Sequence, residues 1–411
     1  MGRVDNVDGV DDGAARAGGG GTGADGTGAD GTAGARRAGA GAGNGAVAGN
    51  GAGAGGGGVN LVALRSHNTA LVLDLLRTAG SEGISRLELA ERTGLTPQAV
   101  SKITARLRAE GFAAEAGRRA STGGKPRTVL RLVPGAGHAV GLHLDRDELT
   151  AVLCDVTGAV VAERHAPLDL GAGGPAVVEA AAREVEELPR VALLGVGVAL
   201  PGPLDHVRGV LHRVTGFPDW DGFPLRDALA RRLGVPVVVD KDTNAAALAL
   251  AVGGEDGTFA YLHLGTGLGA GLVVGGTVHR GARTGAGEFG HQVIQLDGPP
   301  CTCGDRGCIE ALCLAAVERG DADEAARVLG AGAANLAGLL DVDLVLLGGR
   351  TVAAAPGPYV RGVAAVLDAR ARREGSPAGA VPVRAAGHGE RGVAEGAAQL
   401  LLAPLFGRGD A

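Results

Sequence analysis

The most specific sequence pattern in this chain is GAGEFGHQVIQLDGPPCTCGDRGCIE, which runs from Gly285 to Glu310. It combines three closely spaced cysteines with a histidine, which are the ligand types and spacing of a tetrahedral Cys₃His zinc site. The predicted ligands are His291, Cys301, Cys303 and Cys308. Four protein ligands leave no position for a water molecule, so the predicted Zn²⁺ is structural. The same loop carries Glu288 and Glu310, whose carboxylates can accept hydrogen bonds from sugar hydroxyls.

Two other interpretations of these cysteines stay open. Disulfide bonds would need an oxidising compartment, and the sequence shows no segment typical of a secretory signal peptide. The second alternative is a Cys₄ site that uses Cys313 in place of His291. If CIEALC begins a helix, Cys308 and Cys313 point to different faces, which favours the histidine.

This stretch resembles the zinc signature of the ROK family (repressors, open reading frames and kinases). That signature is a Gly-His pair, a spacer and then Cys-x-Cys-Gly-x-x-Gly-Cys-x-Glu, and all of it is present here. Flanking motifs extend the resemblance from about Gly137 nearly to the C terminus. The resemblance implies an α/β fold with two lobes, of the actin and sugar-kinase type, that binds a sugar between the lobes. We assign residues 137–404 to this predicted domain.

The first 58 residues differ in composition from the rest of the chain. They are nearly all Gly, Ala, Asp and Thr and hold almost nothing large and apolar, so we predict a disordered tail over residues 1–58. A regulatory or DNA-searching arm is the alternative. No apolar run reaches the roughly 18 residues of a membrane span, and the formal net charge is −6. With the cysteine usage, this predicts a soluble, cytoplasmic protein that does not contact membranes.

Residues 59–134 are predicted to form a winged helix-turn-helix domain. The apolar positions of NTALVLDLLRTAG have helical spacing, and a second short helix, RLELAERTG, ends at Gly94. Thr96 is the predicted N-cap of a third helix, with Pro97 at its first position. In such an arrangement the helix after the turn enters the DNA major groove. The segment GFAAEAGRRASTGGKPRTVLRL predicts two strands around a basic, glycine-rich wing.

Basic residues are concentrated in this domain. Between Thr96 and Arg131 there are eight basic residues and two acidic ones, in a chain whose net charge is −6. Such segregation is typical of a surface that binds the phosphate backbone. The predicted DNA-binding residues are Gln98, Ser101, Lys102, Arg106, Arg118, Arg119, Lys125 and Arg127. The alternative is a small domain with a solvated basic face, or one that contacts proteins. The resemblance favours DNA binding, because many ROK repressors begin with a winged helix.

The segment after the winged helix predicts a meander of three strands, which opens each lobe of an actin-like fold. In ROK kinases the first turn of this meander carries Asp-x-Gly-Gly-Thr, whose glycines enclose phosphate and whose Asp helps to hold the metal-nucleotide. Aligned on Gly141, this chain has His143 at the Asp position. The Gly-Gly-Thr positions hold Asp145, Arg146 and Asp147. We predict that the phosphate loop is lost, because side chains fill its space and carboxylates repel phosphate.

Polar residues follow the apolar strand VPVVV, just before an alanine-rich helix. Polar groups at the C-terminal end of a buried strand commonly face a ligand cleft. By resemblance, Asp242 matches the kinase base that takes a proton from the sugar hydroxyl, and capping of the helix is its alternative role. The predicted sugar-binding residues are Asp242, Asn244, Glu288, His291 and Glu310. We interpret the turn from Gly265 to Gly271 as structural, because tight β-turns use the same residues.

Together these features predict a sugar-responsive transcriptional regulator, a repressor of carbohydrate metabolism genes, whose kinase-like domain is a sensor and not an enzyme. The expected partners are operator DNA, a sugar or sugar-phosphate effector and further copies of the chain in a homodimer or tetramer. The alternative is a ROK sugar kinase with an appended DNA-binding arm, and residues 143–146 separate the two. A purely structural scaffold would leave Glu288, His291 and Glu310 without a role.

Overall fold

The computed structural model describes residues 66–119, 127–189, 191–212, 214, 217–387, 389 and 391–408. The predicted tail over residues 1–58, Lys125 and the side chain of Arg119 lie outside the described residues. Within the described ranges, no helix has the length and apolar character that a membrane crossing requires.

The N-terminal domain has the element order of a winged helix. Its helices and strands are α1 (His67–Ala79), β1 (Ile84–Ser85), α2 (Arg86–Thr93), α3 (Pro97–Ala109), β2 (Ala113–Arg119) and β3 (Arg127–Leu132). The three strands form an antiparallel sheet in the order β1-β3-β2. Three helices and two wing strands are therefore present where the sequence predicts them.

Capping interactions explain where the helices of the helix-turn-helix begin and end. Ser85 accepts the Glu88 N–H, and the Glu88 carboxylate accepts the Ser85 N–H, which makes a capping box at the start of α2. α2 ends at Gly94, which adopts a left-handed φ of 70°. The Thr96 hydroxyl caps α3, and Pro97 occupies the first turn of α3. The turn between α2 and α3 is therefore short and capped on both sides.

The first lobe is built on a five-stranded sheet of order β10-β7-β4-β5-β6. Its strands are β4 (His138–Leu144), β5 (Glu148–Asp155), β6 (Val160–Pro167), β7 (Leu193–Leu200) and β10 (Val237–Lys241), with a hairpin of β8 (Leu204–Asp205) and β9 (Val210–Leu211). Its helices are α4 (Gly174–Glu186), α5 (Leu225–Leu233) and α6 (Asp242–Val252), of which α6 leads to the second lobe. The antiparallel meander β4-β5-β6 confirms the three strands predicted from the sequence.

The second lobe repeats this topology, with a sheet of order β13-β12-β11-β14-β15. Its strands are β11 (Phe259–Leu264), β12 (Leu268–Val274), β13 (Thr277–Val278), β14 (Leu344–Gly348) and β15 (Val383–Ala385). Its helices are α7 (Ile309–Glu318), α8 (Ala322–Leu340), α9 (Arg350–Ala354), α10 (Pro356–Glu374) and α11 (Gly392–Leu402). In each lobe an antiparallel meander lies beside two parallel strands. This duplication is the predicted two-lobed α/β fold.

Two helices join the lobes. α6 packs on the second sheet, α11 packs on the first sheet, and the two helices pack against each other. A side chain at Gly396 of α11 would overlap the carbonyl oxygen of Ala245 in α6, so this close approach requires glycine. Because α6 begins at the end of β10, a movement at that end can be transmitted to α11.

The winged helix and the first lobe share one hydrophobic core. Leu76 of α1, Leu401 of α11 and Phe406 belong to the same cluster of buried residues. Phe406 lies in the short 3₁₀ segment that follows α11, and the Arg77 guanidinium of α1 lies 5.4 Å from the centre of its ring. The segment after α11 therefore attaches the N-terminal domain to the helix pair between the lobes.

Candidate effector cleft, metal cluster and nucleic-acid interface

A cavity is lined by residues of both lobes. The first lobe contributes the turns after β4 and β7 and the junction of β10 with α6. The second lobe contributes the end of β11, the turn before β12 and the loop that leads to α7. The lining includes four of the five predicted sugar-binding residues, Asp242, Glu288, His291 and Glu310. We call this cavity the cleft.

Two predicted sugar-binding residues, Asp242 and Asn244, lie at the start of α6, but only Asp242 lines the cleft. Asp242 is the first residue of α6, accepts the Thr243 N–H at 2.6 Å and lines the cleft near the positive end of the helix. Asn244 is buried and donates Nδ2 to Asp240 Oδ1 at 2.9 Å. Asp240 also accepts from Arg280 Nε at 2.7 Å. Asn244 thus belongs to a buried network behind the cleft and is absent from the lining.

Lys241 lines the cleft but is absent from the residues predicted from the sequence. Its side chain is only 4% exposed, and Nζ donates to Glu288 Oε1 at 2.8 Å and to the Ala286 carbonyl at 2.7 Å. These bonds connect the first lobe to the loop of the second lobe and orient the Glu288 carboxylate, which is 39% exposed. The sequence contains only three lysines. A lysine between two aspartates in VVVDKDTN was therefore a signal that could have been used.

Glu310 and His291 connect the cleft wall to the predicted metal site. Glu310 is 7% exposed, and its Oε2 accepts the N–H of Leu268, the first residue of β12. His291 ends the 3₁₀ turn Phe289–His291, lines the cleft and directs Nδ1 towards the Cys301 thiol. The cleft therefore presents the three predicted carboxylates on one cavity. Their remaining oxygen atoms can accept hydrogen bonds from the hydroxyls of a polyol.

The turn after β4 contacts the glycine-rich turn of the second lobe. Asp145 is buried, and its Oδ1 accepts the Thr266 hydroxyl at 2.8 Å and the Arg146 N–H at 2.7 Å. Burial raises the pKa of Asp145, but His143 and these two hydrogen bonds outweigh burial and hold the pKa below its ordinary value. An ionised carboxylate thus bridges the two turns that would together have to enclose a phosphate.

Two more groups lie beside this bridge. Arg350 contacts Asp147 at 3.2 Å, a second link between the lobes, although both side chains are exposed and the pair is therefore weak. His143 is buried, and its Nε2 has no hydrogen-bond partner among the described residues. Burial lowers the pKa of His143, so the imidazole is neutral at pH 7.

The four predicted metal ligands come together in one cluster. The ligand atoms of His291, Cys301, Cys303 and Cys308 all lie within 4.8 Å of one another. Cys301 Sγ lies 3.7 Å from His291 Nδ1, and Cys303 Sγ lies 3.7 Å from Cys308 Sγ. Zinc–sulfur bonds of about 2.3 Å in a tetrahedron would place two sulfurs about 3.8 Å apart. The observed spacing therefore fits one tetrahedral ion.

Local geometry explains why the cluster forms and why Cys313 is outside it. The Cys301 N–H donates to the Asp305 carbonyl at 2.8 Å, which closes a tight turn between the ligands. A side chain at Gly307 would overlap the carbonyl oxygen of Gln295, so glycine is required there. Cys313 lies in the core of the second lobe and directs its thiol to a carbonyl of α8. The structure therefore assembles the histidine set and not the Cys₄ alternative.

The three cysteine thiols lie close enough together to favour binding of a cation between them. Burial and the neighbouring Cys303 and Cys301 thiols raise the pKa of Cys308 to about 12. Three thiolates this close would repel each other, and a divalent cation at the centre would stabilise them.

α3 presents most of its predicted DNA-binding face to solvent. Val100 and Leu107 are fully buried against the rest of the winged helix. The exposed members of the predicted set are Gln98, Ser101, Lys102, Arg118 and Arg127. The first three lie in the N-terminal half of α3, and the two arginines lie on the wing strands, so both parts of the surface are accessible to a duplex.

Arg106 differs from the other predicted DNA-binding residues. Its Nη2 donates to the Thr69 hydroxyl of α1 at 2.6 Å, and its Nε lies 4.0 Å from Glu110. The guanidinium is thus occupied in packing α3 on α1, whereas Lys102 is exposed on the same helix. Arg106 therefore contributes to the packing of the winged helix, and its contact with DNA stays a prediction.

The architecture and the cleft define a class of protein in which a two-lobed, sugar-kinase-like domain follows a winged helix. Comparison with known families agrees: the winged helix-turn-helix DNA-binding model matches residues 73–112, and the ROK family model matches residues 139–320. The structure of a ROK hexokinase from Thermus thermophilus is 33% identical with a TM-score of 0.53, covering 64% of this chain and 96% of that one. The chain belongs to the ROK family.

Two further relatives are named as transcriptional regulators. The xylose repressor of Caldicellulosiruptor bescii is 30% identical over 261 residues, which are 61% of this chain and 64% of the relative. The structure of a ROK family transcriptional regulator, a homologue of the E. coli MLC protein, has a TM-score of 0.67 and covers 82% of this chain and 97% of that one. Its identity is 20%, so it shows the fold alone. The chain spans about three fifths of the length of the curated relatives that it matches.

Proposed function

We propose that this protein is a sugar-responsive DNA-binding repressor of carbohydrate metabolism genes. The observation that carries the proposal is that the winged helix, with its exposed α3, shares a hydrophobic core with the first lobe, which forms one wall of the carboxylate-lined cleft. The xylose repressor among the relatives supports both repression and a sugar ligand. The sugar would donate its hydroxyls to Asp242, Glu288 and Glu310, and His291 would complete the wall of the site.

DNA binding in this proposal uses the exposed face of α3 and the wing. Gln98 and Ser101 would reach base edges, and Lys102, Arg118 and Arg127 would contact phosphates. A single short helix reads few base pairs, so we propose a homodimer or tetramer that binds two related half-sites. Sugar can weaken DNA binding only if it binds the two states of the cleft with different affinity. The physical route is α6, α11 and the Phe406 segment that contacts α1.

Zinc is the metal that this proposal assigns to the Cys₃His cluster. His291, Cys301, Cys303 and Cys308 would hold the ion, which supplies a rigid link within the loop and no reaction chemistry. Structural zinc contributes on the order of 10 kcal/mol to the folding of small zinc-binding peptides. Since His291 also lines the cleft, this link would maintain the geometry of the cleft wall.

We propose further that the sensor does not phosphorylate its sugar. A kinase must place the donor phosphate against the acceptor hydroxyl and neutralise its charge, and here the Asp145 carboxylate bridges the two turns that would hold that phosphate. The alternative is a ROK sugar kinase with a DNA-binding arm. It is favoured by the position of Asp242 in the cleft and by the likeness to the Thermus hexokinase.

One experiment separates the two functions. DNA that binds the protein is selected from a random library, and a sugar panel is then screened by thermal shift, by DNA anisotropy and by ATP consumption. We expect one sugar to raise the melting temperature and weaken DNA binding, with ATP consumption at background. Sugar-dependent ATP consumption that disappears in Asp242→Asn would establish the kinase instead.

A further inference from the structure

The cleft is lined by more negatively charged side chains than positively charged ones. Four carboxylates reach it, from Asp145, Asp242, Glu288 and Glu310, and the cationic side chains in the lining are Lys241 and Arg146. A ligand that enters this cavity therefore meets mostly hydrogen-bond acceptors that carry negative charge.

Both cations already have other partners. Lys241 donates to Glu288 Oε1 and to the Ala286 carbonyl, so its charge is compensated within the protein. The Arg146 guanidinium lies over the ring of Phe217, 5.4 Å from its centre. An anionic ligand would have to compete with these contacts before either cation could compensate its charge.

The carboxylates, in contrast, keep acceptor capacity for a ligand. The contacts described for Asp242 and Glu310 are each a single backbone N–H, from Thr243 and Leu268, which leaves the second oxygen of each group for hydroxyl donors. Asp145 lines the same cavity beside the glycine-rich turn, and its pKa is held below its ordinary value, so its carboxylate is ionised at pH 7. A phosphate monoester carries about −1.5 to −2 charges at pH 7 and would be repelled by Asp145 and Asp242 together.

We infer that the effector of this protein is an uncharged sugar bound through its free hydroxyls, and that the cleft rejects the phosphate ester of the same sugar. The inference rests on the proposed function, since it concerns the ligand of the same cleft. Asp145 would then have two roles. It accepts the hydrogen bond from Thr266, and its negative charge excludes a phosphorylated ligand.

The test uses matched pairs of sugars on the full-length protein. Glucose, mannose, N-acetylglucosamine and xylose are each compared with their phosphate ester by isothermal titration calorimetry and by release of selected DNA, at low ionic strength. We expect at least one free sugar to bind and release DNA, and its ester to bind at least 10-fold more weakly. Asp145→Asn keeps the side-chain shape and removes the charge. It should reduce the ratio of the ester's dissociation constant to that of the free sugar several-fold.

Asp147→Asn is the matched control, because Asp147 lies two residues away, pairs with Arg350 and is absent from the cleft lining. It should leave the ratio unchanged. If an ester binds as tightly as its free sugar or more tightly, the inference is wrong while the proposed repressor function stands. An equal effect of Asp145→Asn and Asp147→Asn would overturn the role of Asp145. If no sugar and no ester binds, the proposed function fails and the inference fails with it.

Discussion

The ion pair between Lys241 and Glu288 gives the most specific prediction about the cleft. We consider Lys241→Met, which keeps the length and apolar stem of the side chain and removes the ammonium group. The substitution deletes the donor to Glu288 Oε1 at 2.8 Å and the donor to the Ala286 carbonyl at 2.7 Å. Glu288 would then lose the contact that orients it in the cleft.

The expected loss of stability in Lys241→Met depends on how exposed Lys241 and Glu288 are to solvent. A hydrogen bond to a charged group contributes about 1.5–3 kcal/mol, and breaking a fully buried ion pair costs about 3–5 kcal/mol. Glu288 is 39% exposed and can be rehydrated, so the cost lies below the fully buried case. We expect the free energy of unfolding to fall by about 2 kcal/mol, which lowers the melting temperature by about 4–8 °C at 2–4 °C per kcal/mol. The loss of orientation at Glu288 should weaken sugar binding about 10-fold, the equivalent of 1.4 kcal/mol.

The assay is thermal unfolding with and without sugar, together with calorimetry of sugar binding. Lys102→Met is the matched control, because Lys102 is exposed on α3 and its loss should change the stability by less than about 0.5 kcal/mol. If Lys241→Met melts at the same temperature as Lys102→Met and binds sugar like the parent protein, the ion pair does not organise the cleft.

Three other perturbations test separate parts of the molecule. Cys303→Ser should lower the zinc content and sugar affinity together, measured by metal analysis and calorimetry; full zinc with normal sugar binding would contradict the metal assignment. Lys102→Ala should weaken DNA binding at low salt and reduce the salt slope by about 0.9 if it contacts one phosphate, with sugar affinity unchanged; an unchanged slope would remove Lys102 from the interface. Because burial lowers the pKa of His143 below the 6.5 of the unfolded chain, unfolding takes up a proton and stability should fall as the pH drops below 6.5, by up to about 1.4 kcal/mol per pH unit. In His143→Gln the free energy of unfolding should depend less on pH below 6.5. A dependence as steep as that of the parent protein would refute the titration of His143 as its cause.

Short-range patterns allowed much of the structure to be predicted. The Cys₃His cluster forms within eighteen residues of chain, where close spacing and a tight turn bring the ligand atoms together. The predicted N-cap of α3 is a contact between residues three apart, in which the Thr96 hydroxyl accepts the Ala99 N–H. The two-lobed fold followed from the family resemblance, and the meander of the first lobe from β-rich runs separated by turns.

Contacts between distant segments were not predictable in the same way. Lys241 and Glu288 are 47 residues apart, and Asp145 and Thr266 are 121 apart, so the packing of the two lobes decides these pairs. The position of Arg106 on α3 indicates an outward side chain, yet its long stem reaches back to α1, 37 residues away. Helical position defines where a side chain starts but not where a flexible guanidinium ends.

We propose that the cleft senses a sugar and that sugar binding controls the affinity of the winged helix for DNA. The most direct measurement is the affinity of selected DNA for the parent protein and for Glu288→Ala, each with and without the sugar found in the screen. A typical coupling of about 1–3 kcal/mol corresponds to a 5- to 150-fold change in affinity. We predict such a loss of DNA affinity with sugar for the parent protein, and for Glu288→Ala a normal DNA affinity that sugar does not change. If Glu288→Ala responds to sugar as the parent protein does, the cleft described here is not the sensor.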